Sequence, residues 1–111
     1  KVDYYLANNN EEYVNKADMF EDNSIDFCLI DGKARDLCME KIIPKIKKGG
    51  VLVLDNVNWY MPCDNTKSPA SRRINDGFAN NLWLENYNRV SEWRLYRTTN
   101  GVSDTAIWIK K

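Results

Sequence analysis

The sequence predicts an α/β fold, and three features carry that prediction. Two continuous apolar runs, Ile25–Ile30 (IDFCLI) and Gly50–Leu54 (GVLVL), stop abruptly at the acidic tips Asp31-Gly32 and Asp55-Asn56. Buried parallel strands read this way when their carboxyl ends reach solvent. An amphipathic stretch separates the two runs and supplies the crossover helix that parallel strands need. The chain then closes with two alternating segments around Asn100-Gly101, the pattern of an antiparallel hairpin.

Taken in order, Val2 to Ala7 (VDYYLA) is β-branched and aromatic and runs into Asn8-Asn9-Asn10, so it reads as a strand followed by a turn. Glu11 to Met19 has acids in its first turn and Tyr13, Val14 and Ala17 at helical spacing, which predicts a short helix. After the strand Ile25–Ile30, residues Ala34, Leu37, Cys38, Ile42 and Ile46 share one face, with Lys33, Asp36, Glu40 and Lys41 opposite. Pro44 should stop that helix, and Lys47-Lys48-Gly49-Gly50 reads as its basic last turn and glycine exit. The polar stretch from Val57 to Ser71 is too long for a simple connector and reads as a functional loop or lid. A helix is expected from Ser71 to about Leu82, and the hairpin strands from Ser91 to Thr98 and Asp104 to Lys110.

Composition narrows the function. With 43% hydrophobic and 29% charged residues, the chain of residues 1–111 reads as one ordinary folded domain. Lys and Arg total 16, as do Asp and Glu, so no net field draws the chain to nucleic acid or an anionic membrane. Adjacent Arg72 and Arg73 read more simply as a solvated face than as a phosphate site. No apolar run reaches the length of a membrane span. Cys28, Cys38 and Cys63 fit neither a CxxC pair nor a zinc ribbon, and the odd count suits reduced thiols and a cytoplasmic location. Histidine is absent, so any acid–base chemistry rests on carboxylates, Lys, Tyr, Cys or a metal.

Together, IDFCLIDG, GGVLVLDN and the Asn100-Gly101 hairpin resemble class I S-adenosylmethionine-dependent methyltransferases. VDYYLA is similar to that family's third strand, and the other segments to its fourth, fifth and final pair. The resemblance implies a partial Rossmann-like sheet of parallel strands with a terminal antiparallel hairpin. It also implies that the family's glycine-rich loop and ribose-binding acid would precede Lys1. The chain would then be the carboxy-terminal half of the domain, inactive alone, with most S-adenosylmethionine contacts made elsewhere. The closest likeness is to small bacterial methyltransferases of unassigned substrate, so the expected partner is a small-molecule methyl acceptor with a hydroxyl or amine.

Candidate site residues follow from the strand tips, because open α/β sheets bind ligands beyond the carboxyl ends of their strands. Asp31 is the candidate catalytic base. In the catechol O-methyltransferase branch, matching positions bind a divalent metal, which makes Asp31, Asp55 and Asn56 candidate Mg²⁺ ligands. That branch has a basic residue where this chain has Ala34, with Lys33 one place early. The plain alternative is that both Asp residues cap helices or bind loop amides. Arg35 pairs with Asp31, binds an anionic substrate group, or is a plain helix-surface residue. Trp59 and Tyr60 either wall the acceptor pocket or pack the loop. A noncatalytic module that dimerises through an unpaired sheet edge is the competing reading, and an unrelated nucleotide-binding α/β enzyme is a third.

Overall fold

The computed structural model describes residues 16–111 and is α/β, a four-stranded mixed sheet with two helices packed on it. The strands are β1 (Ile25–Ile30), β2 (Ile46–Asp55), β3 (Arg94–Thr99) and β4 (Asp104–Ile109); the helices are α1 (Arg35–Ile42) and α2 (Asn81–Arg89). The expected strand Val2 to Ala7 and most of the expected helix Glu11 to Met19 lie outside the described residues. The end of that helix, Lys16–Met19, is a 3-10 turn with Ala17 in the core.

The sheet order is β1-β2-β4-β3, with β1 parallel to β2 and both later pairings antiparallel. Alternation divides the sheet into two unlike faces. On one, Ile30, Leu52, Leu54, Ala106 and Trp108 meet Met39, Ile42, Trp83 and Val90 in a continuous core. On the other, Leu29, Val53, Ile107 and Tyr96 align in one cross-strand row, and Phe27, Val51 and Ile109 in the next. Phe27 is 60% exposed, and Leu29 and Tyr96 48% each.

Two expectations about the crossover need correction. Helix α1 buries Met39 and Ile42, while Leu37 is exposed. The reason is that Asp36 faces α2, where its carbonyl accepts from Asn86 Nδ2 at 2.9 Å, which turns Leu37 outward. Lys47, Lys48 and Gly49 do not end a helix. After the turn Ile43–Lys45 around Pro44, β2 begins at Ile46, pairs with Ile25, then bulges before Val51 pairs with Phe27. Gly49 adopts φ +82°, and a Cβ on Gly50 would lie 2.8 Å from the carbonyls of Ile25 and Lys47. The Gly-Gly pair therefore serves a β-bulge.

The helix expected from Ser71 to Leu82 is also displaced. A 3-10 turn spans Ile74–Asp76, Gly77 leaves it at φ +67°, and Asn80 caps α2 by accepting from Trp83 N at 3.0 Å. Asn80 therefore starts a helix rather than lying inside one. Arg72 and Arg73 bond loop carbonyls at Gly77, Asp76 and Thr66, so both help fold the loop.

That loop is pinned rather than free. Asp104, at the start of β4, is buried with Asn58 and Ser68. Ser68 Oγ donates to Asp104 Oδ1 at 2.7 Å, and Arg97 donates to Oδ2 through Nε at 3.1 Å and Nη2 at 2.8 Å. Asp104 N donates to Asn58 Oδ1 at 2.9 Å, closing the loop against the hairpin. The hairpin turn is longer than a two-residue Asn-Gly turn: Asn100 Oδ1 accepts from Val102 N and Ser103 N, each at 2.9 Å. Burial pushes the Asp104 carboxyl up, but hydrogen bonds from Thr66, Ser68, Thr99 and Arg97 outweigh it and hold the group well below the usual carboxylate range. A depressed native value stabilises the fold above the unfolded pKa of about 4 and loses that contribution as pH falls through the native value. Urea midpoints at about pH 5 and about pH 3 should therefore drop more for the wild type than for Asp104→Asn, which is already weakened at both. Equal drops would mean that Asp104 is not the acid-sensitive group.

Candidate functional site

The site is built around the tips of two parallel strands. Where β1 and β2 end, their carbonyls leave the ladder and need other donors. Arg35, the first residue of α1, supplies both tips. Its Nη2 donates to Asp31 O at 2.7 Å and its Nε to Gly32 O at 2.8 Å; its Nη1 donates to Asp55 O at 2.8 Å and to Asn56 Oδ1 at 3.0 Å. Only a planar guanidinium offers donors in a fork that can reach four such acceptors. Arg35 thus bonds Asp31 through its backbone, and it has no carboxylate ion pair among the described residues.

The same guanidinium lies 5.8 Å from the centroid of the Tyr60 ring, within cation–π range. Tyr60 stacks on the buried Trp83 with centroids 4.6 Å apart and planes 19° apart. Trp59 meets Tyr60 edge-on at 6.4 Å and is itself largely exposed. An open cleft of about 420 Å³ lies beside this stack, lined by Gly32 to Asp36, Tyr60, Ala79, Asn80 and Trp83. Its volume falls in the range of small-molecule sites. Ala34, at its floor, is held in the left-handed region at φ +50°.

Of the residues singled out from the sequence, Arg35 and Tyr60 line the cleft. Asp31 precedes the first lining residue in the chain, is exposed, and is not itself among the lining residues. Asp55, Asn56 and Trp59 are not among the lining residues. Trp83 and Asn80 were not anticipated; the signal available was an Asn immediately before an aromatic-bearing helical stretch. Asp36 reaches across the cleft, its Oδ2 accepting from Asn80 Nδ2 at 2.9 Å and its Oδ1 from Leu37 N at 2.9 Å.

As folded, two of the oxygens that a cation at Asp31, Asp55 and Asn56 would need, Asn56 Oδ1 and Asp55 Oδ1, are engaged in hydrogen bonds. Asn56 Oδ1 already accepts from a guanidinium, whose charge would repel a metal held by the same oxygen. Asp55 Oδ1 accepts from Asn56 N at 3.0 Å and Thr105 Oγ1 at 3.1 Å. Among the described residues, no group of three or more His, Cys, Asp or Glu side chains is placed to hold a metal. The three cysteines are free and half-buried. Burial, reinforced by the Cys38 thiol for Cys28 and by the Asp36 carboxylate for Cys38, pushes the Cys28 thiol up to about 12 and that of Cys38 to about 11, so both stay protonated and unreactive near neutral pH. No described helix is long and apolar enough to cross a membrane.

Neither a protein-family model nor a curated protein sequence matches the chain. If Arg35 joins the two strand tips, Arg35→Lys should destabilise the chain by roughly 2–3 kcal/mol in urea unfolding, because a point charge cannot replace the fork. A Lys variant as stable as the wild type would show that the tips hold together without it.

Proposed function

We propose that the protein is part of a class I S-adenosylmethionine-dependent methyltransferase acting on a small-molecule hydroxyl or amine. The observation that carries this reading is the joining of the β1 and β2 tips by Arg35 beside an open cleft, with the exposed Asp31 immediately before the first lining residue in the chain. That is the position where open parallel sheets bind their ligands. The resemblance of IDFCLIDG and GGVLVLDN to the family's fourth and fifth strands points the same way, as does the mixed sheet with its terminal antiparallel hairpin.

S-adenosylmethionine supplies an electrophilic methyl group: the bond from acceptor to carbon forms as the bond from carbon to sulfur breaks, leaving the electron pair on sulfur. The protein's own work is mostly placement. Tyr60 and Trp83 give the cleft an apolar side, and Arg35 fixes the loops that carry Gly32 and Asn56. Asp31, exposed and free of side-chain hydrogen bonds among the described residues, takes the acceptor's proton. No step is routed through a metal, since Asn56 Oδ1 and Asp55 Oδ1 are already engaged in hydrogen bonds.

The competing reading, a noncatalytic module that dimerises, draws on a different observation. Among the described residues β1 is an edge strand, and Phe27 and Leu29 are exposed beside it, which favours pairing with another surface. The expected pairing edge, Val2 to Ala7, lies outside the described residues.

Calorimetric titration of S-adenosylhomocysteine into the product of the complete open reading frame separates the two. Saturable binding is expected, together with methyl transfer that chelators leave unchanged and that Asp31→Asn slows by about 10²–10⁴-fold. Absence of binding, with a dimer in sedimentation equilibrium that Phe27→Lys converts to monomer, would replace the enzyme with the module.

A further inference from the structure

We propose that Asn80 is a positioning residue for the cleft: its bond to Asp36 sets the spacing of the cleft's two sides, and methyl transfer depends on that spacing. The dependence rests on the methyl-transfer reading, whereas the spacing rests on geometry alone. One side of the lining follows β1 and opens α1, running from Gly32 to Asp36; the other comprises Tyr60, Ala79, Asn80 and Trp83. Among the described residues a single hydrogen bond joins the two sides, from Asn80 Nδ2 to Asp36 Oδ2 at 2.9 Å.

Each side is tied within itself. Ala79 N donates to Tyr60 O at 2.9 Å, Tyr60 stacks on Trp83, and Asn80 Oδ1 accepts from Trp83 N at 3.0 Å. Opposite them, Arg35 bonds the carbonyls of Asp31 and Gly32, and Asp36 Oδ1 accepts from Leu37 N at 2.9 Å. Asn80 and Asp36 therefore each use one side-chain end on their own side and the other across the cleft. The Arg35 guanidinium over the Tyr60 ring, 5.8 Å from its centroid, also crosses the cleft but fixes no hydrogen-bond geometry.

A second link between the helices, outside the lining, separates spacing from folding. Asn86, buried further along α2, donates from Nδ2 to Asp36 O at 2.9 Å. That bond keeps α2 against α1 whether or not Asn80 reaches Asp36. Without the Asn80 bond, α2 is held at Asn86 but no longer tied to α1 at its first turn, where Trp83 sits. Methyl transfer is mostly placement, so a small displacement of one side of the cleft slows it.

The test exchanges the pair in the complete open reading frame product. Asn80→Asp keeps the cap, since Asp is as good an N-cap as Asn, but sets two carboxylates against each other. In the double variant, Asn80→Asp with Asp36→Asn, the bond re-forms with donor and acceptor exchanged, and Leu37 N and Trp83 N both keep an acceptor. Asn80→Asp is expected to shift the NMR resonances of the Trp83 indole and the Tyr60 ring. It should also slow methyl transfer to catechol, a small hydroxyl acceptor, about tenfold, the scale of one hydrogen bond. The double variant should return the resonances and most of the rate. Unchanged resonances in Asn80→Asp, a double variant no better than the single one, or a rate undiminished in Asn80→Asp would overturn the inference. Resonances that shift and return, in a protein that neither binds S-adenosylhomocysteine nor methylates catechol, would keep Asn80's hold on the spacing and remove the methyl-transfer reading.

Discussion

Two neighbouring parallel strands end in carbonyls that nothing in the sheet can satisfy, and in this protein one guanidinium meets the need of both. Arg35 bonds the backbone of Asp31, Gly32 and Asp55 and the side chain of Asn56. Buried or half-buried carbonyls without donors cost more than a bond between satisfied groups gains, so the loops after β1 and β2 are constrained to approach Arg35 together. The cleft follows from that convergence. Its floor leaves β1 and its wall leaves β2, and neither would hold its place if the other moved.

A second set of polar contacts does for the long loop what Arg35 does for the tips. Asp104, Ser68, Asn58 and Arg97 tie the segment after β2 to the hairpin. Such a network stabilises only when every member is satisfied, and no buried side-chain nitrogen or oxygen among the described residues lacks a partner. Tyr60 lies between these two anchors, Arg35 on one side and the pinned loop on the other. The two faces of the sheet contrast accordingly. One carries helices, loop and buried network, and the other presents rows of apolar side chains.

What could be read from the sequence was what depends on local pattern. The apolar runs IDFCLI and GVLVL stop at acids, and the hairpin strands alternate, so strand identity and the α/β class were visible directly. What could not be read depends on distant partners. Nothing near Arg35 reveals that its acceptors are divided between Asp31 and Asn56, which follow different strands. Asp104 opens an alternating strand, where an acid ordinarily faces water, and only the approach of Ser68 and Arg97 makes its burial tolerable. Lys47 to Gly50 fitted a helix exit because Gly-Gly suits both that role and a bulge. Asn80 was ambiguous for a similar reason, since Asn both interrupts helices and begins them.

Ala34 illustrates what the Arg35 clamp makes possible. A residue with a Cβ rarely adopts a left-handed backbone, which costs on the order of 1 kcal/mol, yet Ala34 holds φ +50° at the cleft floor between the bonded carbonyl of Gly32 and Arg35 itself. The unfavourable conformation is therefore accepted once, during folding, when the clamp closes. A ligand arriving later meets a floor whose conformational entropy has already been lost. The affinity of whatever binds there would then reflect the contacts it makes rather than the cost of shaping the loop around it.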